Sequence, residues 1–141
     1  GGGRDIRREP RLRERHFGHL QGLSYAEIDQ TFPDDARGWR QREPGFAPAG
    51  GESLAAFFER CVEAASRLAA PHEGQAVALF THGGVLEMGH RHAHGTGISA
   101  PRDFEIPNAA LNWIEIGPQH WRVRSWAQVA HLERALDDLP D

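Results

Sequence analysis

At 141 residues and 15.7 kDa, the chain is long enough for one domain with a sizeable core. Its formal net charge of −4 offers no excess of cations to neutralise phosphates, which argues against nucleic acid as the main partner. One cysteine, Cys61, excludes an intramolecular disulfide, and no apolar run approaches the ~20 residues that cross a bilayer. With no signal-peptide pattern either, the expectation is a soluble, cytoplasmic protein with no membrane partner.

Gly1-Gly2-Gly3 lacks an initiator methionine and reads as a tag scar, a linker or the edge of a truncation. From Arg4 to Arg15 the chain is dense in arginine and broken by Pro10, with Leu12 and Phe17 as its strong apolar anchors. Arg13-Glu14-Arg15-His16 is therefore expected to be a loop pinned at both ends. Ser24 with Glu27 forms a capping-box pattern, and Tyr25, Ile28 and Phe32 predict a short amphipathic helix that stops at Pro33. The stretch 34–51 is rich in proline, glycine and charge, and is expected to be an ordered loop or lid.

Gly51-Glu52-Ser53 opens the clearest helix. Leu54, Phe57, Phe58, Cys61, Val62, Ala65 and Leu68 recur at three- and four-residue spacing as far as Ala70, and Pro71 ends it. Cys61 lies on the apolar face as inert core. The run Val77-Ala78-Leu79-Phe80 predicts a buried strand of a parallel sheet, ending at Thr81-His82 and turning through Gly83-Gly84 into a helix. Such a turn sets a polar side chain and the free N–H groups of a helix N-terminus at the edge of a crevice. That helix runs to about His94 and closes at Gly95. Residues 109–116 and 121–129 predict two strands about a Gly117-Pro118 turn, and the tail from His131 to Asp141 a helix docked through Leu132, Leu136 and Leu139. Helices alternating with strands imply an α/β fold.

Three sets of residues could carry chemistry. Glu14 could protonate a leaving oxygen while His82 and neighbouring N–H groups hold developing negative charge. His90 and His94 share a helix face, but no third ligand stands at a useful spacing, so no metal is expected. Arg40-Gln41-Arg42 is either an anion clamp or a solvated loop.

Four segments, in order, carry a family resemblance. Leu12-Arg13-Glu14-Arg15-His16-Phe17-Gly18-His19-Leu20-Gln21-Gly22-Leu23 resembles the catalytic-acid segment of the phosphoglycerate mutase, or histidine phosphatase, superfamily. Gly50-Gly51-Glu52-Ser53-Leu54 followed by Arg60 is similar to its helix-opening motif, Thr81-His82-Gly83-Gly84 to its second-histidine motif, and Pro107-Asn108-Ala109-Ala110-Leu111 to the strand that follows. The resemblance implies a three-layer α/β/α sheet fold, of which residues 1–141 form the C-terminal portion as a single domain. It also implies hydrolysis of a small-molecule phosphate ester through a phosphohistidine, with no cofactor. Glu14 matches the proton donor and His82 the histidine that bonds the transferring phosphoryl group. Gly83 would present a backbone N–H there, and Arg15 and Phe17 would face the substrate.

The family's Arg-His-Gly, which bears the nucleophilic histidine, has no counterpart before Glu14. Arg91-His92-Ala93-His94-Gly95 copies its letters but falls after the second-histidine motif, inside a helix. The expectation is a truncated sequence, or another segment supplying the N-terminal strand, without which both edges of Val77–Thr81 lack a pairing partner. The short interval between Glu14 and Gly51 favours a phosphatase over a phosphoglycerate mutase proper. A non-catalytic protein that binds phosphorylated ligands is the alternative from another class. A homodimer is left open.

Overall fold

A computed structural model describes residues 5–137, with side-chain environments given as far as Glu133. Two short 3-10 turns, Pro10–Leu12 and Gly18–Leu20, lead into helices α1 (Tyr25–Thr31) and α2 (Pro33–Arg40). Helix α3 (Leu54–Ala69) is the longest, followed by α4 (Gly83–His94), strands β1 (Leu111–Ile116) and β2 (Trp121–Gln128), and α5 (Ala130–Asp137).

The capping box at α1 forms as expected: Ser24 Oγ accepts the Glu27 N–H at 3.3 Å, and Glu27 returns a carboxylate oxygen to the Ser24 N–H at 2.7 Å. Pro33 stops α1 but does not begin a loop. It occupies the first turn of α2, where a missing N–H costs nothing, with Asp34 and Asp35 at the positive end of the helix and Arg37 and Arg40 at the negative end. The expected loop over 34–51 is thus helical for its first half. Helix α3 starts where its sequence says: Ser53 Oγ accepts the Ala56 N–H at 3.0 Å. Replacing Ser53 with alanine should cost about 1 kcal/mol in urea unfolding, as for other lost N-caps.

The main core gathers Leu12, Leu54, Phe57, Cys61, Ala64, Val85 and Met88, so α3 and α4 pack on each other with the Pro10–Leu12 turn against them. Burial pushes the Cys61 thiol up to about 12, which leaves it an inert core group. A second, smaller core joins Leu20, Ile28 and Ala36, edged by Phe17, Phe32 and Trp39. Strands β1 and β2 form an antiparallel hairpin, with Ile114 opposite Val123 and Ile116 opposite Trp121. Their inner face meets α4 at Gly89, where an added Cβ would lie 3.3 Å from Ile114 Cδ1. The helix closes at Gly95, whose φ of +65° is the left-handed cap.

One element departs from the sequence reading. Residues 75–80 carry no strand pairing, and Val77, Leu79 and Phe80 are exposed rather than buried. Among the described residues the sheet has two strands, β1 and β2, and neither lies beside this segment. An apolar run with no neighbour to exchange backbone hydrogen bonds cannot form a ladder, however strand-like its composition. In the tail, α5 is present and Leu132 is half-buried, while the expected docking of Leu136 and Leu139 falls outside the residues whose side chains are described.

Candidate active site

Glu14 lies two residues beyond the buried Leu12, in an irregular loop between the two 3-10 turns. Its carboxylate accepts two backbone N–H groups: that of Arg15 on Oε1 at 2.9 Å and that of Gly84 on Oε2 at 3.0 Å. A second link parallels the first, since Thr81 Oγ1 donates to the Leu12 carbonyl at 2.9 Å. Segments some seventy residues apart in sequence are stitched together on both sides of His82.

His82 is the N-cap of α4. Its backbone is extended (φ −109°, ψ 160°), its side chain makes no cap hydrogen bond, and it is exposed. The first turn of α4 carries no acidic residue, so the positive end of the helix faces outward without a resident anion of its own helix. Gly83 is exposed too, and an added Cβ there would meet nothing within 4 Å. The segments that carry the two expected catalytic residues are therefore brought together. The glycine whose N–H reaches Glu14, however, is Gly84, which the sequence reading did not single out.

Gly84 also has a steric role. A Cβ there would collide with Glu14 Oε1, the movable end of a side chain. Alanine favours the helix by up to about 1 kcal/mol, which offsets part of the loss of the Gly84 N–H bond to Glu14, so Gly84→Ala should lower stability by no more than about 2 kcal/mol. The carboxylate would be displaced nonetheless, and turnover should fall by roughly ten- to a hundred-fold. Comparing the melting curve with kcat separates the two effects.

Arg15 and Phe17 are more engaged than the sequence suggests. The Arg15 guanidinium donates to the carbonyls of Glu52 (3.2 Å) and Phe46 (3.3 Å), and burial lowers its pKa, with Glu52 opposing and Arg42 adding to that shift. The Phe17 ring stacks on Trp39 at 4.5 Å, with the Arg15 guanidinium 5.4 Å from its centroid. Together they tie the loop to α2 and to the segment before α3.

The Arg40-Gln41-Arg42 clamp does not form. Arg40 pairs with Asp29, and Arg42 donates to Glu87 Oε1 (2.5 Å) and to the Ile98 carbonyl (3.0 Å). Glu87 also receives the fully buried Arg91, so one carboxylate on α4 holds two guanidiniums. Arg91, the first residue of the Arg-His-Ala-His-Gly look-alike, is thereby a structural cation. His90 and His94 stack on each other at 4.2 Å, and His90 also stacks on Phe104 at 3.7 Å. Burial, then His94, lowers the His90 pKa, as in an aromatic core residue. Among the described residues no group of three or more potential ligands surrounds a metal-sized space.

The Glu52–Arg60 pair was also missed. Arg60 Nη2 meets Glu52 Oε1 at 2.5 Å and Nε meets Oε2 at 3.0 Å, a two-pronged contact across eight residues. Burial alone would raise the Glu52 pKa, but the bonds from Arg60 and the His16 N–H hold it below the usual carboxylate range. The signal in the sequence was the Gly-Glu-Ser motif followed by Arg60 on α3, and it took the fold to show where that arginine reaches.

Comparison with known proteins gives one consistent answer. The family model described as "Histidine phosphatase superfamily (branch 1)" matches residues 1–129. Two Arabidopsis thaliana proteins are each 33% identical over 124 residues: phosphoglycerate mutase-like protein 4, over 86% of this chain and 53% of that protein, and metal-independent phosphoserine phosphatase, over 87% and 50%. The chain thus spans about half the length of these curated relatives. Among solved structures, YhfR of Bacillus stearothermophilus superposes with a TM-score of 0.77 at 28% identity, covering 88% of this chain and 62% of that one.

Proposed function

Because the chain belongs to the histidine phosphatase superfamily, we propose that it carries the proton-donor part of a site that hydrolyses small phosphate monoesters through a phosphohistidine. Its α/β architecture matches solved members of that superfamily. One observation supports the reading above the others: the Glu14 carboxylate rests on the Gly84 N–H, at the open N-terminus of the helix that His82 caps. A proton donor thereby stands beside a histidine and a helix end suited to a phosphoryl group.

In this reading the nucleophilic histidine is supplied from outside these 141 residues. Its ring nitrogen forms a bond to phosphorus as the ester P–O bond breaks, and the departing oxygen takes its electron pair and the Glu14 proton. Glu14, now a carboxylate, then removes a proton from the water that attacks phosphorus, and the P–N bond breaks to release phosphate. His82 and the Gly83 N–H stabilise the charge on the non-bridging oxygens in both steps. Arg15 and Phe17 border the space for the alcohol portion. Neither step calls on a cofactor. The Arabidopsis relative named as a phosphoserine phosphatase supports a hydrolase and a small phosphorylated substrate.

The test is a panel of phosphomonoesters offered to the full-length natural gene product, followed by trapping of the phosphoenzyme. Turnover that chelator leaves unchanged, with an acid-labile phosphoenzyme, is the expected result. Binding of phosphorylated ligands without hydrolysis of any ester would replace this reading with a non-catalytic one.

A further inference from the structure

The loop that carries Glu14 has no regular structure to hold it. From Arg11 to Glu14, four consecutive carbonyls are each taken by a side chain from elsewhere in the fold. Arg60 Nη1 donates to the carbonyls of Arg11 (2.5 Å) and Arg13 (3.1 Å), and its Nη2 reaches that of Glu14 (3.4 Å). Thr81 takes the remaining one, on Leu12. The Arg60 guanidinium is fixed in turn by Glu52, whose Oε1 also accepts the His16 N–H at 3.0 Å, while the Glu52 N–H donates to the His16 carbonyl at 2.9 Å. Both side chains are largely shielded from water, and Arg60 leaves α3 one turn beyond Phe57, over whose ring it lies at 5.0 Å.

From this geometry we infer that Arg60, locked by Glu52, is the positioning residue that holds the Glu14 carboxylate against the N-terminus of α4. The inference rests on the reading of Glu14 as proton donor. A planar fork with five donors can satisfy three carbonyls and a carboxylate at once, which neither lysine nor glutamine can do. Freed from that fork, the 11–14 backbone keeps only one of its four carbonyl bonds to distant side chains, that from Thr81. Glu14 then loses its fixed distance to a departing oxygen, while the phosphoryl end at His82 is left as it was.

A misplaced proton donor has a signature that a loosened fold lacks. Proton transfer matters most when the leaving alcohol is a weak acid, and little when it is p-nitrophenol. In the full-length natural gene product, Arg60→Gln should lower kcat/KM on an alkyl phosphate by roughly thirty-fold or more and on p-nitrophenyl phosphate by less than about three-fold. Glu52→Gln, which keeps the Arg60 carbonyl bonds but removes the lock, should show the same bias in weaker form and provides the test if Arg60→Gln fails to fold. Equal losses on the two esters, or a lowered melting temperature with unchanged kinetics, would overturn the assignment. Glu14→Gln serves as the reference. If it shows the bias and the Arg60 and Glu52 variants do not, the positioning role alone falls. If Glu14→Gln shows no bias, the proton-donor reading falls first and the inference with it.

Discussion

Glu14→Gln in the full-length natural gene product should lower turnover of an alkyl phosphate by about 10²–10⁴-fold, the range for a positioned general acid. Glutamine keeps the size of the side chain but cannot give up a proton, so the departing alkoxide must leave uncompensated. Its folding cost can be foreseen. The carboxylate receives two N–H groups, from Arg15 and Gly84, one on each oxygen. An amide offers one oxygen, so one of those N–H groups loses its partner and stability falls by about 1–3 kcal/mol. Single-turnover kinetics on folded protein, with the melting temperature measured alongside, separates this from the chemical defect. Activity within a factor of two of the parent would take Glu14 out of the mechanism.

What could be read from the sequence was whatever depends on near neighbours. The Ser24–Glu27 box, the Ser53 cap, the apolar face from Leu54 to Leu68 and the Gly95 terminus each rest on contacts within one or two helical turns, and each is found where expected. Helix α2 was missed because Pro33 was read only as a stop signal, although the same residue fits a first helical turn when acids follow it. The Val77–Phe80 run failed for a different reason. Strand composition states a preference for a buried ladder, but the ladder requires a neighbour, and none lies beside it among the described residues.

The site divides along the same line. Motif order pointed to Glu14 and His82, and the hydrogen bonds on either side of His82 bring their segments together. Gly84 and Arg60 stood inside those motifs without a role, because what they do exists only across seventy and forty-six residues of chain. Conversely, Arg42, weighed as part of an anion clamp, is spent on Glu87 and the Ile98 carbonyl. An arginine count cannot distinguish a cation free to meet substrate from one holding two elements together.

His82→Ala should cost roughly 10²–10³-fold in kcat, the usual loss when one donor to a transition-state oxygen is removed. The position makes this unusually clean to measure. His82 is exposed and its side chain makes no cap hydrogen bond to α4, so alanine removes no packing and no cap. Unfolding free energy should stay within about 0.5 kcal/mol of the parent, as for other surface substitutions. The pattern across substrates should also differ from that of Glu14→Gln. His82 is placed to act on the phosphoryl oxygens, which every ester shares, so its loss should slow alkyl and p-nitrophenyl phosphates alike. Glu14 acts on the departing oxygen, whose need for a proton varies with the alcohol. If His82→Ala changed stability and left kcat intact, the histidine would be a helix terminus and nothing more. If it reproduced the leaving-group bias of Glu14→Gln, its task would be to hold Glu14, and the phosphoryl group would have to be stabilised by the helix N–H groups at Gly83 and beyond.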